Sequence, residues 1–257
     1  MNAAESGGSI VIEDLITEEQ FREVVQLQKT IWGFSDIDLL PVRFFVVAGK
    51  IGGQVFGAYS GGRMVAFCLA IPGLKPDGTA YLHSHMLGVL PEYRNTGLGR
   101  RLKMHQRENA LARGIDLIEW TFDPLEVKNA YFNIERLGAV VRRYVRNQYG
   151  ASSSPLAGGL PTDRCVAEWW ISRRQERGAV CEGVRLPVDI AEIRGSDPMR
   201  ARAIQTELAD QFEAAFQRGL AVIGVERDDT WFTYLFGETL QQAPGEALQQ
   251  QARGEAR

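Results

Sequence analysis

His83 and His85 are the residues in this chain best suited to move a proton, because an imidazole titrates near neutrality. They stand two positions apart within residues 81–101, YLHSHMLGVLPEYRNTGLGRR, and on an extended segment that spacing projects both to one side of a strand. A few residues later, Arg94-Asn95-Thr96-Gly97-Leu98-Gly99 puts two glycines where a chain leaving a strand turns into a helix. The unpaired N–H groups of such a turn converge on an anion, and Arg100 and Arg101 add positive charge beside it. Proton transfer next to a phosphate-binding turn is the chemistry this stretch suggests.

Other anion-binding motifs fit less well. A P-loop needs Gly-x-x-x-x-Gly-Lys followed by Ser or Thr, and no such run occurs. The dinucleotide fingerprint needs a third glycine, but Gly97-Leu98-Gly99 is followed by Arg100, Arg101 and Leu102. Asp116 and Glu119 do lie about 20 residues on, yet the preceding hairpin argues against a parallel βαβ unit. The two histidines also admit a metal-ligand reading and a purely structural one. His105 is the only other histidine, and no Cys or carboxylate spacing completes a ligand set.

The elements that must position this stretch read as a mixed α+β order. Residues 10–12 start an edge strand, and Thr17-Glu18-Glu19-Gln20 matches a capping box. The helix it opens carries Phe21, Val24, Val25, Leu27, Gln28 and Ile31 at helical spacing and ends at Gly33. Pro41 suits the start of a second helix, broken by Gly49 and Gly52-Gly53, and these two helices are expected to flank the substrate. Residues 54–60 and 63–71 form a hairpin about Gly61-Gly62. Residues 79–90 follow as a longer strand, with Tyr81, His83, His85, Leu87 and Val89 expected on one face.

Beyond the glycine turn, residues 97–113 read as a helix, 115–122 as a strand and 127–137 as a helix closed by Gly138. Strands at 139–148 and 165–172 enclose a Ser, Gly and Pro-rich loop at 150–162, expected to be mobile. Residues 173–185 read as a linker, 188–193 as a strand and 199–218 as a helix. Strands at 220–225 and 230–236 then meet about Arg227-Asp228-Asp229. The organisation expected is a disordered lead at 1–9, a domain at 10–174, a C-terminal α/β extension at 175–237 and a disordered tail at 238–257.

Composition narrows the class. With 257 residues, 45% hydrophobic and 24% charged, the chain is an ordinary globular one, and a net charge of −3 gives no pull towards nucleic acid or anionic membrane. No apolar run reaches the roughly 18 residues of a membrane helix, and the polar start MNAAESGGS lacks the features of a signal peptide, so a cytoplasmic protein is expected. Cys68, Cys165 and Cys181 are an odd count at unrelated spacings, which suits reduced structural thiols.

Leu87-Gly88-Val89-Leu90-Pro91-Glu92-Tyr93-Arg94-Asn95-Thr96-Gly97-Leu98-Gly99 resembles the acetyl-CoA motif of the GNAT acyltransferases, Leu-x-Val-x-Pro-x-x-Arg/Gln-x-x-Gly-x-Gly/Ala. Asn129 and the Leu137-Gly138 helix end fit the same superfamily, and the element order resembles its fold from about residue 10 to 174, roughly two thirds of the chain. The remaining third suggests a divergent bacterial branch with its own extension. The resemblance implies an α/β/α-layered fold with a mixed, mostly antiparallel twisted sheet flanked by helices. It implies direct transfer of an acetyl or other acyl group from acyl-CoA to an amine, with acetyl-CoA as co-substrate and no metal. It assigns CoA contacts to Leu87, Gly88, Val89, Arg94, Asn95, Thr96, Gly97, Leu98, Gly99, Arg100 and Asn129. Backbone amides of the turn would hold the pyrophosphate, and a splayed strand at Leu87 and Val89 would leave groups for the pantetheine arm.

Within the same superfamily, arylalkylamine N-acetyltransferases have a stretch similar to His83-Ser84-His85-Met86-Leu87-Gly88-Val89, whose histidines help remove the amine proton. The chain departs from the pattern at Ile134, where many members have the Tyr that protonates the leaving thiolate. Tyr131, one turn away, is the candidate in its place, with Tyr144 and Tyr149 in the next strand, although a thiolate also leaves unprotonated. Glu119 and Asp123 are carboxylates near an approaching amine, as binders or bases or as loop caps. The missing Tyr and the added segment keep open a catalytically quiet acyl-CoA-binding or assembly protein. Transfer to a hydroxyl or from a longer acyl donor is a further alternative. The acceptor is not legible, and the run 231–236 reads equally as a core strand or as the interface of a homodimer.

Overall fold

A computed structural model of the chain describes residues 9–150, 158–173 and 176–239. The lead at 1–8, most of the 150–162 loop and the tail from 240 therefore lie outside the described residues. One sheet of ten strands runs through the rest, in the order β1-β2-β3-β4-β5-β7-β6-β9-β10-β8. The strands are β1 (Val11–Asp14), β2 (Gln54–Ser60), β3 (Arg63–Leu74), β4 (Ala80–Val89) and β5 (Leu117–Phe122), then β6 (Val140–Val145), β7 (Arg164–Trp170), β8 (Arg177–Pro187), β9 (Ala221–Arg227) and β10 (Trp231–Thr239). Neighbours pair antiparallel except β4 and β5, which are parallel.

Local signals set several boundaries. In α1 (Glu18–Trp32) the Thr17 side chain accepts from the Gln20 N–H while the Gln20 side chain accepts from the Thr17 N–H, and Gly33 closes the helix in the left-handed region. Gly61 and Gly62 both take positive φ, 57° and 81°, in the two-residue turn between β2 and β3. Pro41 precedes α2 (Val42–Lys50), and Phe21 of α1 stacks on Phe45 of α2 at 5.8 Å.

The helices lie on both faces of the sheet. Gly88 on β4 has no room for a Cβ, which would sit 2.8–2.9 Å from Ile31, Phe67 and Trp32, so α1 presses on that face. Leu87 and Val89 point the other way, against Gly99 of α3 (Leu98–Ala112). On α3's side the sheet also meets α4 (Val127–Tyr131), which runs on into a π-helical turn, Phe132–Arg136. Two later helices among the described residues are α5 (Ile190–Ser196) and α6 (Pro198–Gln217).

Two readings of the C-terminal third are corrected. Residues 177–187 are not linker but β8, paired with β10. This strand lies at the end of the sheet, so its exposed, charge-bearing alternation mimics a loop, and only Val184 and Leu186 are fully buried. Residues 190–196 are helical where a strand was expected, because Ile190 and Ile193 both turn into the core at helical spacing. The aromatic run at 231–236 lies inside the sheet between β9 and β8, with Phe212 of α6 packed on Tyr234 and Phe236, ring centroids 5.0 Å away in each case. Buried side chains form two clusters: one joins α1, α2, β2, β3 and the first turns of α3, the other joins β5–β10 with α4–α6. Residues 177–239 thus share a core with the strands at 117–170.

Candidate functional site

The site begins where β4 and β5 part. These strands pair only at Leu82 with Ile118 and His83 with Glu119, while the other edge of β4 stays paired to β3 as far as Val89. Residues 85–89 therefore present an edge with no strand partner on the β5 side. Bare edges of this kind accept an extended ligand bearing amides.

A bulge at the same point re-aims the side chains. β3 skips from Met86 to Ser84 in its pairing, which leaves His85 as the extra residue. His83 and His85 share one side, with ring centroids 6.0 Å apart, and His85 lies 6.5 Å from the Phe44 ring of α2. Leu87 and Val89 do not share it, contrary to a simple alternation over residues 81–89, because the extra residue reverses the parity and turns them towards Gly99.

The fork leads into the glycine turn. The one-turn 3₁₀ helix Pro91–Tyr93 is followed by Arg94, whose Nε donates to the Val89 carbonyl at 3.2 Å. The Thr96 hydroxyl donates to the Tyr93 carbonyl at 2.7 Å, Asn95 takes φ 62° and Gly97 takes φ 85° as the N-cap of α3. No side chain caps this helix. Arg94 to Gly97 and Arg100 are exposed, so the free amides of the first turn face solvent at the positive end of the helix dipole. A Cβ on Gly99 would meet only ordinary contacts, 3.7 Å from Leu87 and 3.9 Å from Val89, so its small size is not demanded by the protein's own packing. Edge, turn and helix end together fit an elongated ligand with a phosphate at one end.

A polar cluster lies beside the histidines. Glu119, next to His83 in register and 3% exposed, accepts from Lys75, and from Arg143 at 3.0 Å. Glu168 accepts from Arg142 at 2.6 Å. Burial above all, and then the neighbouring His85, push His83 down to about 4, and burial also lowers His85. Both imidazoles are thus neutral near pH 7 and able to accept a proton.

The remaining candidates separate. Tyr131 and Asn129 are exposed on α4, Tyr131 at 43% with its ring beneath Arg136, whereas Ile134 is wholly buried in the core. Tyr144 leaves the site: its hydroxyl donates to Asp163 at 2.9 Å and its ring packs on Phe212, and burial raises its pKa. Asp123 receives Arg194 of α5 at 3.0 Å and the Leu125 N–H at 2.8 Å, so it ties the extension to the loop after β5. Tyr149 instead reaches the site, its hydroxyl 2.8 Å from that of Thr121 on β5. His105 packs edge-on against Phe56, centroids 4.6 Å apart, and no group of three or more His, Cys, Asp or Glu among the described residues could hold a metal ion.

Lys75, Arg143 and Lys103 were not legible as site residues. Lys75 stands in a Pro, Asp and Gly-bearing loop, where a lysine reads as solvated. A signal did exist for Lys103: with Gln106 it occupies the buried stripe of α3 alongside Leu98, Leu102 and Ala110. A charged residue at a core position of an amphipathic helix is unusual.

Comparison with known proteins bears on the fold. No curated protein matches the sequence. Among solved structures the chain is similar to the ribosomal-protein-S18-alanine N-acetyltransferase of Escherichia coli, at 19% identity and TM-score 0.50, covering 66% of this chain and 99% of that one. It is also similar to Arabidopsis thaliana NAA60 in complex with a bisubstrate analogue, at 13% identity and TM-score 0.51, covering 63% of this chain and 98% of that one. An acetyltransferase of GNAT family from Streptococcus pneumoniae matches at 16% identity and TM-score 0.50, covering 63% and 99%. At these identities the likeness is one of fold: a mixed, mostly antiparallel sheet flanked by helices. The family model "Acetyltransferase (GNAT) family" matches residues 19–138, which include the fork, both histidines and the uncapped helix start. Over residues 19–138 the chain is thus similar to the GNAT acetyltransferase family.

Proposed function

We propose that the protein is an N-acyltransferase that moves an acetyl or other acyl group from acyl-CoA directly to an amine of a small molecule or peptide. The observation that carries this reading is the β4–β5 fork opening straight into an uncapped helix N-terminus. CoA, when bound, supplies the activated acyl group. The amides opening α3, with Arg100 beside them, hold its pyrophosphate, and the bare edge at Leu87 and Val89 takes the amides of its pantetheine arm. Asn129 is a further CoA contact in this reading.

On the amine side, His83 and His85 accept the proton that an ammonium must lose before it can attack, directly or through water. Buried Glu119 orients this polar floor through Lys75 and Arg143. With Ile134 buried where a tyrosine is usual, departure of CoA as a thiolate does not depend on that position. Tyr131 remains a candidate proton donor.

The test is a thiol-release assay with acetyl-CoA over a panel of amines, amino acids and peptides. Release with at least one acceptor supports the proposal. Saturable acetyl-CoA binding without release on any acceptor favours the catalytically quiet acyl-CoA-binding protein. No helix among the described residues is long and apolar enough to cross a membrane. We place the reaction in the cytoplasm of a bacterium.

A further inference from the structure

Lys103 is 2% exposed, and among the described residues it makes no ion pair with a carboxylate. Its Nζ donates to the Ser84 hydroxyl at 2.7 Å and to the Gln106 side-chain oxygen at 3.0 Å, and lies 3.9 Å from the centroid of the Trp120 ring. An ammonium buried among neutral partners is costly, and an apolar group of the same shape is often as stable or more so. Its presence therefore calls for a reason other than stability.

The location supplies one. Ser84 and Trp120 are the residues of β4 and β5 next after the last ladder pair, His83 with Glu119. Lys103 thus stands behind the apex of the fork, on the α3 face, while the histidines occupy the other. It is itself held: Gln106 donates to Cys68 Sγ at 3.3 Å, and the Gln106 carbonyl accepts from Gln54 at 3.0 Å.

We propose that Lys103 is a positioning residue of the acyl-transfer site: wedged behind the apex of the fork, it fixes Ser84 between the two histidines and sets a positive charge one strand's thickness behind His83. This inference rests on the reading of His83 as a proton acceptor. Among the groups around His83, His85 on β4, Arg143 on β6 and Lys103 on α3 oppose a positive charge there, and Glu119 on β5 favours one. Lys75 offsets Glu119 by pairing with it, and Phe44 of α2, packed on His85, carries no charge. Burial brings Lys103 down to about 8, which leaves it an ammonium at neutral pH.

The test compares Lys103→Met, which removes charge and hydrogen bonds, with Lys103→Gln, which removes the charge and keeps a donor for Ser84. In both, the acid limb of kcat/KM is expected to move up by about one pH unit. In Lys103→Met kcat should also fall about 10-fold or more, with KM for acetyl-CoA within about 2-fold and an unchanged or higher Tm at pH 7. If the Met variant does not fold, the Gln variant decides. A limb that stays in place in folded variants overturns the proposal, even when kcat falls, because a packing role alone would do that. Absence of thiol release by the unaltered protein counts against the acyl-transfer reading instead. The His83 imidazole NMR signal of the CoA-bound protein then decides: an upward titration shift in Lys103→Gln supports the inference, and coincidence with the unaltered protein overturns it.

Discussion

β4 and β5 share two ladder positions, and β6 and β9 share a single one, Val141 with Val222, yet the chain treats these two weak joints in opposite ways. At the second joint its own side chains close the gap. Glu135 accepts from the Val225 N–H at 3.0 Å, Arg177 donates to the Ile134 carbonyl at 2.7 Å and pairs with Glu135 at 3.1 Å, and Arg142 donates to the Thr239 hydroxyl at 2.8 Å. At the first joint side chains brace only the apex, with Lys75 and Arg143 on Glu119 and Lys103 on Ser84. Beyond it the edge of β4 is left bare as far as Val89, whose carbonyl takes Arg94. A buried backbone group must be satisfied from somewhere. Where the protein does so itself the joint is structure, and where it does not, a ligand is invited. The helix starts repeat the contrast, since Thr17 and Gln20 cap α1 from within and nothing caps α3.

Four experiments would break or sharpen this contrast. The largest expected effect is at the open joint. Replacing both His83 and His85 by Gln should lower kcat by roughly 10²-fold or more at pH 7, while KM for acetyl-CoA changes little; equal losses in both parameters would assign the histidines to binding. Next, Gly99→Glu places a carboxylate in the uncapped first turn, where a pyrophosphate is proposed to sit. Acetyl-CoA affinity by calorimetry should drop by about 100-fold, and the melting temperature should barely move.

The closed joint should behave in reverse. Glu135→Ala leaves the Val225 N–H and Arg177 without their carboxylate and should cost about 1–3 kcal/mol of stability by denaturant titration. Acetyl-CoA affinity should be untouched, and a matching fall in affinity would show that the two joints are coupled. The smallest effect is expected at the capped helix, where Thr17→Ala should cost about 1 kcal/mol and leave activity intact.

One pH dependence follows from the open joint. His83 is held neutral down to about 4 in the folded chain, against an ordinary value of 6.5. As pH falls below 6.5 the unfolded chain takes up this proton first, so stability declines through the window from 6.5 to about 4. Replacing His83 by Gln should flatten that decline in melts recorded across the window.

Local chemistry made much of this legible before any fold was known. The capping box at Thr17, the Gly61-Gly62 turn and the left-handed Gly97 each act over a few residues, through one hydrogen bond or one dihedral, and so they survive in the sequence as spacing. The glycine turn into α3 belongs to the same class, because a helix start and a glycine turn are local objects. β8 was not legible, because an edge strand with charges along it has the composition of a linker until β10 lies beside it. The length and type of residues 190–196 were equally ambiguous, since a short apolar run fits either period.

What the sequence by itself determined was where the chain turns, where helices begin and which residue types stand at the strand end. What only the tertiary structure decided was register and its consequences. The bulge at His85, which turns Leu87 and Val89 from the histidine face to α3, exists only in the pairing with β3. The parting of β4 from β5, the convergence of Lys75 and Arg143 on Glu119, and the placement of Lys103 behind the apex bring together groups 19 to 44 residues apart. No local rule links such positions. They meet because the buried faces of α3 and the strands can be satisfied together in one register, and in that register the fork stays open.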